Sequence, residues 1–247
     1  MWQISELKNI PGFFHAFSTK EEGNMSFKWG EKEEVIKNRE IFLLKFRIGI
    51  DSCVALNVED SDTLVVVDEK FKGRGMRNIQ DAVIADGFIT RTRNLFLFLT
   101  IGDCLPIILF DQKQNIISLI HSGWKSTEAK IVMKAVNNLT NNFGCCVSDI
   151  LVAIGPSIHK ESFKFKNPIQ KRLKGWAPFL EDLPDGTTSI DLISYNKSQL
   201  KDAGVMPQNI FISNIDTGKD SNFFSHYQDS KQMNSREGRF ACVIGLR

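Results

Sequence analysis

Histidine is scarce in this chain: four residues among 247, at His15, His121, His159 and His226. A multicopper cluster consumes imidazoles in number, and a blue-copper site needs two of them beside a cysteine, so copper is not an expected cofactor. Cysteine is sparse as well. Five residues, an odd number with Cys145 and Cys146 adjacent, do not make a disulfide framework and point to a reduced, cytoplasmic compartment. Neither sign of charge dominates. With 31 Lys+Arg against 29 Asp+Glu, the net charge of +2 leaves no broad basic footprint for nucleic acid. No run approaches the ~18 consecutive apolar residues of a membrane span. The opening residues, Met1-Trp2-Gln3-Ile4-Ser5-Glu6-Leu7-Lys8, lack the basic and apolar regions of a secretory signal, so no membrane or export role is expected. Internal repeats, low-complexity runs and Pro/Ser linkers are also missing, which favours one domain over residues 1–247.

What is present is an ordinary globular composition, 42% hydrophobic and 24% charged. Apolar runs of strand length recur at residues 63–67, 95–100, 106–110, 116–120, 150–154, 210–213 and 240–244. Most are continuous rather than alternating, as strands covered on both faces are. Residues 111–115, Asp-Gln-Lys-Gln-Asn, read as a hairpin loop between two of them, and the basic, Gly-rich residues 70–78 as a surface loop. Helical spacing appears at Val132, Ala135, Val136, Leu139 and Phe143, with Ser126 or Thr127 as the expected cap and Gly144 as the stop. Residues 33–46 and 192–203 give two further helices. Strands outnumber helices, so the expected class is α+β with stacked mixed sheets flanked by helices.

Two stretches carry the chemistry. Gly102-Asp103-Cys104-Leu105-Pro106 leaves one apolar run and enters the next, a place where a thiolate can act as nucleophile or metal ligand. The bland alternative is a small buried hydrophobe. His121-Ser122-Gly123-Trp124-Lys125-Ser126-Thr127 follows the strand at 116–120 and precedes a helix. Cys104 and His121 flank the two strands of the expected hairpin, so they can meet as a Cys–His nucleophile and base or as two ligands of a zinc site. Residues 123–127 are not a phosphate loop, because Trp124 interrupts the required Gly-Lys-Ser/Thr. Ala85-Asp86-Gly87 leads into another extended run, and Asp86 is read either as a turn residue or as a functional carboxylate. Gly155-Pro156-Ser157-Ile158 is read as a turn or a pocket wall.

Taken in order, these stretches resemble one family, variously described as polyphenol oxidase or laccase-domain proteins, peptidoglycan editing factors and zinc-dependent purine nucleoside phosphorylases. The resemblance spans Phe17-Ser18-Thr19-Lys20, Asn38-Arg39, Asp103-Cys104-Leu105-Pro106, His121-Ser122-Gly123-Trp124, Gly155-Pro156-Ser157-Ile158, Phe223-Phe224-Ser225-His226-Tyr227 and Gly238-Arg239. It implies a layered α+β domain and a single zinc ion held by a Cys and two His. Two of those ligands fall on Cys104 and His121. The third falls on Asp60 when the following Ser61-Asp62-Thr63-Leu64 is matched, or on Glu59 when Val58 is matched. Zinc accepts carboxylate oxygen at nearly the distance it accepts imidazole nitrogen, so an Asp60, Cys104, His121 site is chemically sound.

Other positions depart from the pattern. Lys125 and Lys20 replace arginines, Tyr227-Gln228 replaces an Arg-Arg pair, and Ser157 replaces a cysteine. The resemblance implies phosphorolysis of adenosine, inosine or methylthioadenosine, with adenosine deamination as an accompanying activity. It makes purine nucleoside and phosphate the partners and leaves monomer and homodimer both open. Ser18, Lys20 and Arg239 are then the phosphate or ribose contacts, and Asp86 a general base. Two alternatives stand beside this reading. One is a metal-free hydrolase or amidase with Cys104 as nucleophile and His121 as base, acting on peptidoglycan precursors. The other is a non-catalytic member in which Asp60 has abolished the metal site.

Overall fold

The computed structural model describes residues 1–230 and 237–247. Its strands begin with β1 (Phe13–Phe17), β2 (Cys53–Asn57), β3 (Leu64–Val66), β4 (Val83–Ile84) and β5 (Gly87–Thr90). They continue with β6 (Phe96–Ile101), β7 (Leu105–Asp111), β8 (Ile116–Ser122), β9 (Ile150–Ile154) and β10 (Lys164–Phe165). The last four are β11 (Leu180–Asp182), β12 (Thr188–Ile190), β13 (Ile210–Ile212) and β14 (Phe240–Leu246). The helices are α1 (Lys32–Leu44), α2 (Trp124–Glu128), α3 (Ile131–Phe143), α4 (Leu192–Asp202) and α5 (His226–Asp229). None is long and apolar enough to cross a membrane among the described residues.

Two mixed sheets make the frame, in strand orders β1-β14-β6-β2-β4 and β13-β9-β7-β8-β5-β3, with a small β10-β12-β11 sheet beside them. Alternate side chains of each strand enter different cores. Leu97, Leu99 and Ile101 of β6 meet Ile108 and Phe110 of β7 and Ile117 and Leu119 of β8 between the two sheets. Their neighbours Phe96 and Phe98 face the other way, onto Phe42 and Leu43 of α1. Ile107 and Leu109 of β7 turn outward to Val132, Ala135, Val136 and Leu139 of α3 and Leu200 of α4. The order is therefore helix, sheet, sheet, helix. Both faces of the central strands are covered, which is why their sequences run apolar without a break.

The hairpin expected around residues 111–115 is present. Asp111 Oδ1 accepts from the backbone N–H groups of Lys113 and Gln114 at 2.8 and 3.0 Å, and β7 pairs with β8 in a register that sets Pro106 opposite His121. Gly144 ends α3 as expected, at φ 71 with its N–H on the Leu139 carbonyl. The start of α3 differs from expectation. Ser126 and Thr127 do not cap it; they lie inside the separate helix α2, and Lys130, in the left-handed region, precedes α3 instead. The Thr127 hydroxyl donates to the Gly123 carbonyl at 2.8 Å and meets Asn196 and Ser122 in a buried polar cluster, so it serves packing rather than a cap.

Candidate active site

Cys104 sits on the short connection between β6 and β7, and His121 near the end of β8. The hairpin register brings them to the same end of the sheet. Behind His121 lies Asp86, fully buried just ahead of β5. Its carboxylate organises the site. Oδ1 accepts from His121 Nδ1 at 2.9 Å and from the Asp60 backbone N–H at 3.1 Å. Oδ2 accepts from the Ser61 N–H and the Ser61 hydroxyl, both at 2.7 Å. One buried carboxylate thus orients the imidazole and pins the turn carrying Asp60. That turn is held with Asp60 at φ 57, a left-handed conformation that Asp tolerates better than most residues.

Asp60, Asp86 and His121 each bring a ligand atom within 4.8 Å of the others, a group able to hold a metal ion. Cys104 lies beside this group without being part of it. A Cβ at Gly123 would stand 3.2 Å from Cys104 Sγ, 3.4 Å from Asp60 Oδ1 and 3.5 Å from His121 Cε1. The bare glycine is what leaves room for the three side chains to converge. Burial alone disfavours the imidazolium at His121. The Cys104 sulfur beside it and the hydrogen bond to Asp86 outweigh that and raise its pKa to about 10. Burial works against the charge of Asp86 too, but the hydrogen bonds from His121 and Ser61 carry its pKa below the usual carboxylate value.

The cluster opens into a cavity of about 430 Å³, within the ~300–1,000 Å³ range of small-molecule sites. Glu59, Asp60, Cys104, His121 and the half-buried Arg239 line it, with Lys28 adding an exposed cation. Of the two carboxylates considered for the ligand position, both reach the cavity, and Asp60 is the one grouped with His121 and Asp86. The Arg239 guanidinium lies 4.6 Å over the Trp29 ring, and a Cβ on Gly102 would strike its side chain at 2.8 Å.

The structure does not bring Ser18 and Lys20 to the walls of this cavity. Ser18 is buried, with its hydroxyl accepting from the Ala241 N–H at 2.8 Å, a bond that ties the end of β1 to β14. Lys20 Nζ pairs with Asp229 at 3.1 Å and anchors α5. Two residues not singled out as site groups do belong here. Asp103, buried at φ 85, accepts from the Thr217 hydroxyl and the Tyr227 N–H, both at 2.7 Å, and so fixes α5 against the Cys104 loop. His226, on α5, lines the cavity. The signal for Asp103 was its place directly before Cys104. For His226 it was its membership of the Phe-Phe-Ser motif.

A two-sheet α+β scaffold with a thiol, an imidazole and carboxylates gathered at one sheet end defines a class, and comparison with known proteins agrees. The family model described as multi-copper polyphenol oxidoreductase laccase matches residues 15–247. The chain belongs to that family. It is 29% identical over 221 residues to "Purine nucleoside phosphorylase YlmD" of Bacillus subtilis, covering 87% of this chain and 78% of that protein. It is 27% identical over 183 residues to "Adenosine deaminase RL5" from an unknown prokaryotic organism, covering 71% and 69%. The crystal structure of YlmD from Geobacillus stearothermophilus superposes with a TM-score of 0.88 at 25% identity, covering 96% of this chain and 93% of that one. Among the described residues, two imidazoles, His121 and His226, line this cavity.

Proposed function

We propose that this chain is a purine nucleoside phosphorylase, with adenosine deamination as a second activity of the same site. The observation that carries the reading is the approach of Cys104, His121 and Asp60 to one residue, Gly123, at the wall of a cavity that also presents Lys28 and Arg239. The donor set of thiolate, imidazole and carboxylate is one that zinc accepts. His121 gives its Nδ1 proton to Asp86, the arrangement that frees the other ring nitrogen of a metal-binding histidine. Cys104, His121 and Asp60 would hold the ion. When bound, zinc supplies Lewis-acid polarisation to the cavity.

The chain's own groups do the rest. Arg239 and Lys28 offer charge-assisted donors to a phosphate. Asp86 keeps His121 in one tautomer and acts on the reaction through that imidazole. Asp60 adds a negative charge where the resembled pattern has a neutral imidazole, and Lys125 Nζ, 3.5 Å from its Oδ2, offsets part of it.

A second reading draws on the same contacts. Cys104, His121 and Asp86 form a nucleophile, base and orienting carboxylate in line, which without metal is the arrangement of a Cys–His hydrolase. The deciding experiment is phosphate-dependent release of free base from adenosine, inosine and methylthioadenosine by zinc-loaded protein, with Cys104→Ala as control. Release that needs phosphate and disappears in the variant supports the phosphorylase. No release from folded, zinc-bound protein rejects it. Alkylation of Cys104 would then separate the hydrolase, which predicts a reactive thiol and no bound zinc, from a non-catalytic protein.

A further inference from the structure

Cys104 has a cavity on each side. The second, about 350 Å³, is walled by Trp124, Phe163, Phe165 and Tyr227. Phe163 stands perpendicular to Phe165 with ring centroids 5.0 Å apart, and Phe165 packs edgewise on Tyr227 at 6.4 Å. The two cavities differ in chemistry. The first presents Lys28 and Arg239, which suit an anion, together with the carboxylates of Glu59 and Asp60. The second is aromatic and suits a flat heterocycle. Among the described residues, three line both: Gly102, Cys104 and His226. A nucleoside with its base in the aromatic cavity and phosphate in the cationic one has its glycosidic bond at that divide.

His226 is built for proton transfer there. Its Nδ1 lies 3.1 Å from Glu237 Oε2, so the Nδ1 proton is given to the carboxylate and Nε2 is left for another partner. The imidazole side chain is 59% exposed, open to an incoming ligand. Its backbone is held by Asp103, which accepts from the next N–H, that of Tyr227, at 2.7 Å. The mechanism above makes no use of this His–Glu pair.

We infer that His226, oriented by Glu237, is the general acid that protonates the departing purine. The inference rests on the phosphorylase reading. A phosphate oxygen forms a bond to C1′ of the pentose, and the C1′–N9 bond breaks with its electron pair passing to the purine. The Nε2 proton of imidazolium His226 goes to purine N7. Dihydrogen phosphate loses a proton on forming the new C–O bond, and that proton restores His226. Nucleoside and inorganic phosphate become pentose 1-phosphate and free purine.

The test compares inosine with 7-methylinosine, whose base already carries the positive charge and leaves without being protonated. In zinc-loaded protein, His226→Gln is expected to lower kcat for inosine by about 100-fold or more, the ordinary worth of a positioned acid. Its kcat for 7-methylinosine should stay within about 3-fold of wild type, which also shows that the variant is folded. Glu237→Gln should give a smaller loss with the same selectivity. Equal losses on both substrates, or an unchanged inosine rate, would overturn the inference while leaving the phosphorylase standing. Wild-type protein that cleaves neither substrate would remove the phosphorylase reading, and this inference with it.

Discussion

Asp86→Asn removes the charge from the carboxylate that organises the site and changes almost no volume. Asp86 is fully buried, and its oxygens accept from the His121 ring, the N–H groups of Glu59, Asp60 and Ser61, and the Ser61 hydroxyl. An asparagine keeps one oxygen and turns the other into a donor. If the remaining oxygen faces His121 and Asp60, the new NH₂ meets the Ser61 N–H, which cannot turn away, whereas the Ser61 hydroxyl can rotate to accept. The opposite orientation sets two fixed donors, His121 Nδ1–H and the Asp60 N–H, against it. The first arrangement is therefore the better one, with one close conflict, a second and longer one with the Glu59 N–H at 3.4 Å, and three hydrogen bonds weakened by loss of charge. Hydrogen bonds to charged groups contribute about 1.5–3 kcal/mol each and a stranded buried donor costs about 1–3, so the expected loss is roughly 3 kcal/mol. Urea unfolding followed by tryptophan fluorescence reads it as a lower midpoint at unchanged slope. Zinc affinity, read by competition with a chromophoric chelator, should fall about 10- to 100-fold, the usual result of removing the carboxylate behind a ligating histidine. Stability within ~0.5 kcal/mol of wild type, the range of an ordinary surface substitution, together with unchanged zinc affinity, would refute the role assigned to Asp86.

Gly123→Ala has an acceptable backbone at φ −82, but its methyl would lie 3.2–3.5 Å from Cys104, Asp60 and His121. Unfolding midpoints should barely move while zinc affinity falls by about 10-fold or more, as when ligand geometry is disturbed; the reverse pattern would place the glycine's role in folding alone. Glu22 provides a pH test away from the site. Burial opposes its charge, yet Lys45 at 2.8 Å and the Thr19 N–H and hydroxyl bring its pKa down from 4.5 to about 2. Because the folded value is the lower one, the stabilisation is present above pH ~4.5 and is lost as pH falls toward 2. Discounted for the half-exposed lysine, Glu22→Gln should cost about 1–2 kcal/mol at pH 7, and urea midpoints at pH 7 and pH 3 should show the gap closing. A gap of equal size at both would contradict the assignment.

The central strands were legible because their apolar runs are unbroken, and a run of that kind has few alternatives to burial on both faces. Residues 95–100, 106–110, 116–120 and 150–154 correspond to β6, β7, β8 and β9 within a residue or two at each end. The helix α3 was legible from its spacing of three and four. Other elements were not. In β1, Phe-Phe-His-Ala-Phe is short and carries a histidine, and only the structure shows His15 accepting from the Ile4 N–H at 2.8 Å inside the fold. The small sheet of β10, β11 and β12 is built from segments of two or three residues, below the length at which periodicity carries information.

The site divides in the same way. The chain order alone determined that Cys104 and His121 would meet, since they flank one hairpin, and a hairpin's register follows from its short loop. The family resemblance, matched residue by residue, left Glu59 or Asp60 for the third ligand position. Choosing between those two lay beyond it, because neighbouring side chains in an irregular turn point in unrelated directions. Asp60, in the left-handed region, is the one whose carboxylate groups with His121 and Asp86, and Asp86 accepts from the N–H groups of both Glu59 and Asp60. The same holds for Ser18, Lys20 and His226. Ser18 and Lys20 lie beside a motif in the chain yet are held by β14 and α5, while His226 is carried to the cavity by an Asp103 more than a hundred residues away. Local sequence dictates which strands and helices form; which side chains share a cavity depends on contacts between distant segments, and those exist only once both sheets have packed.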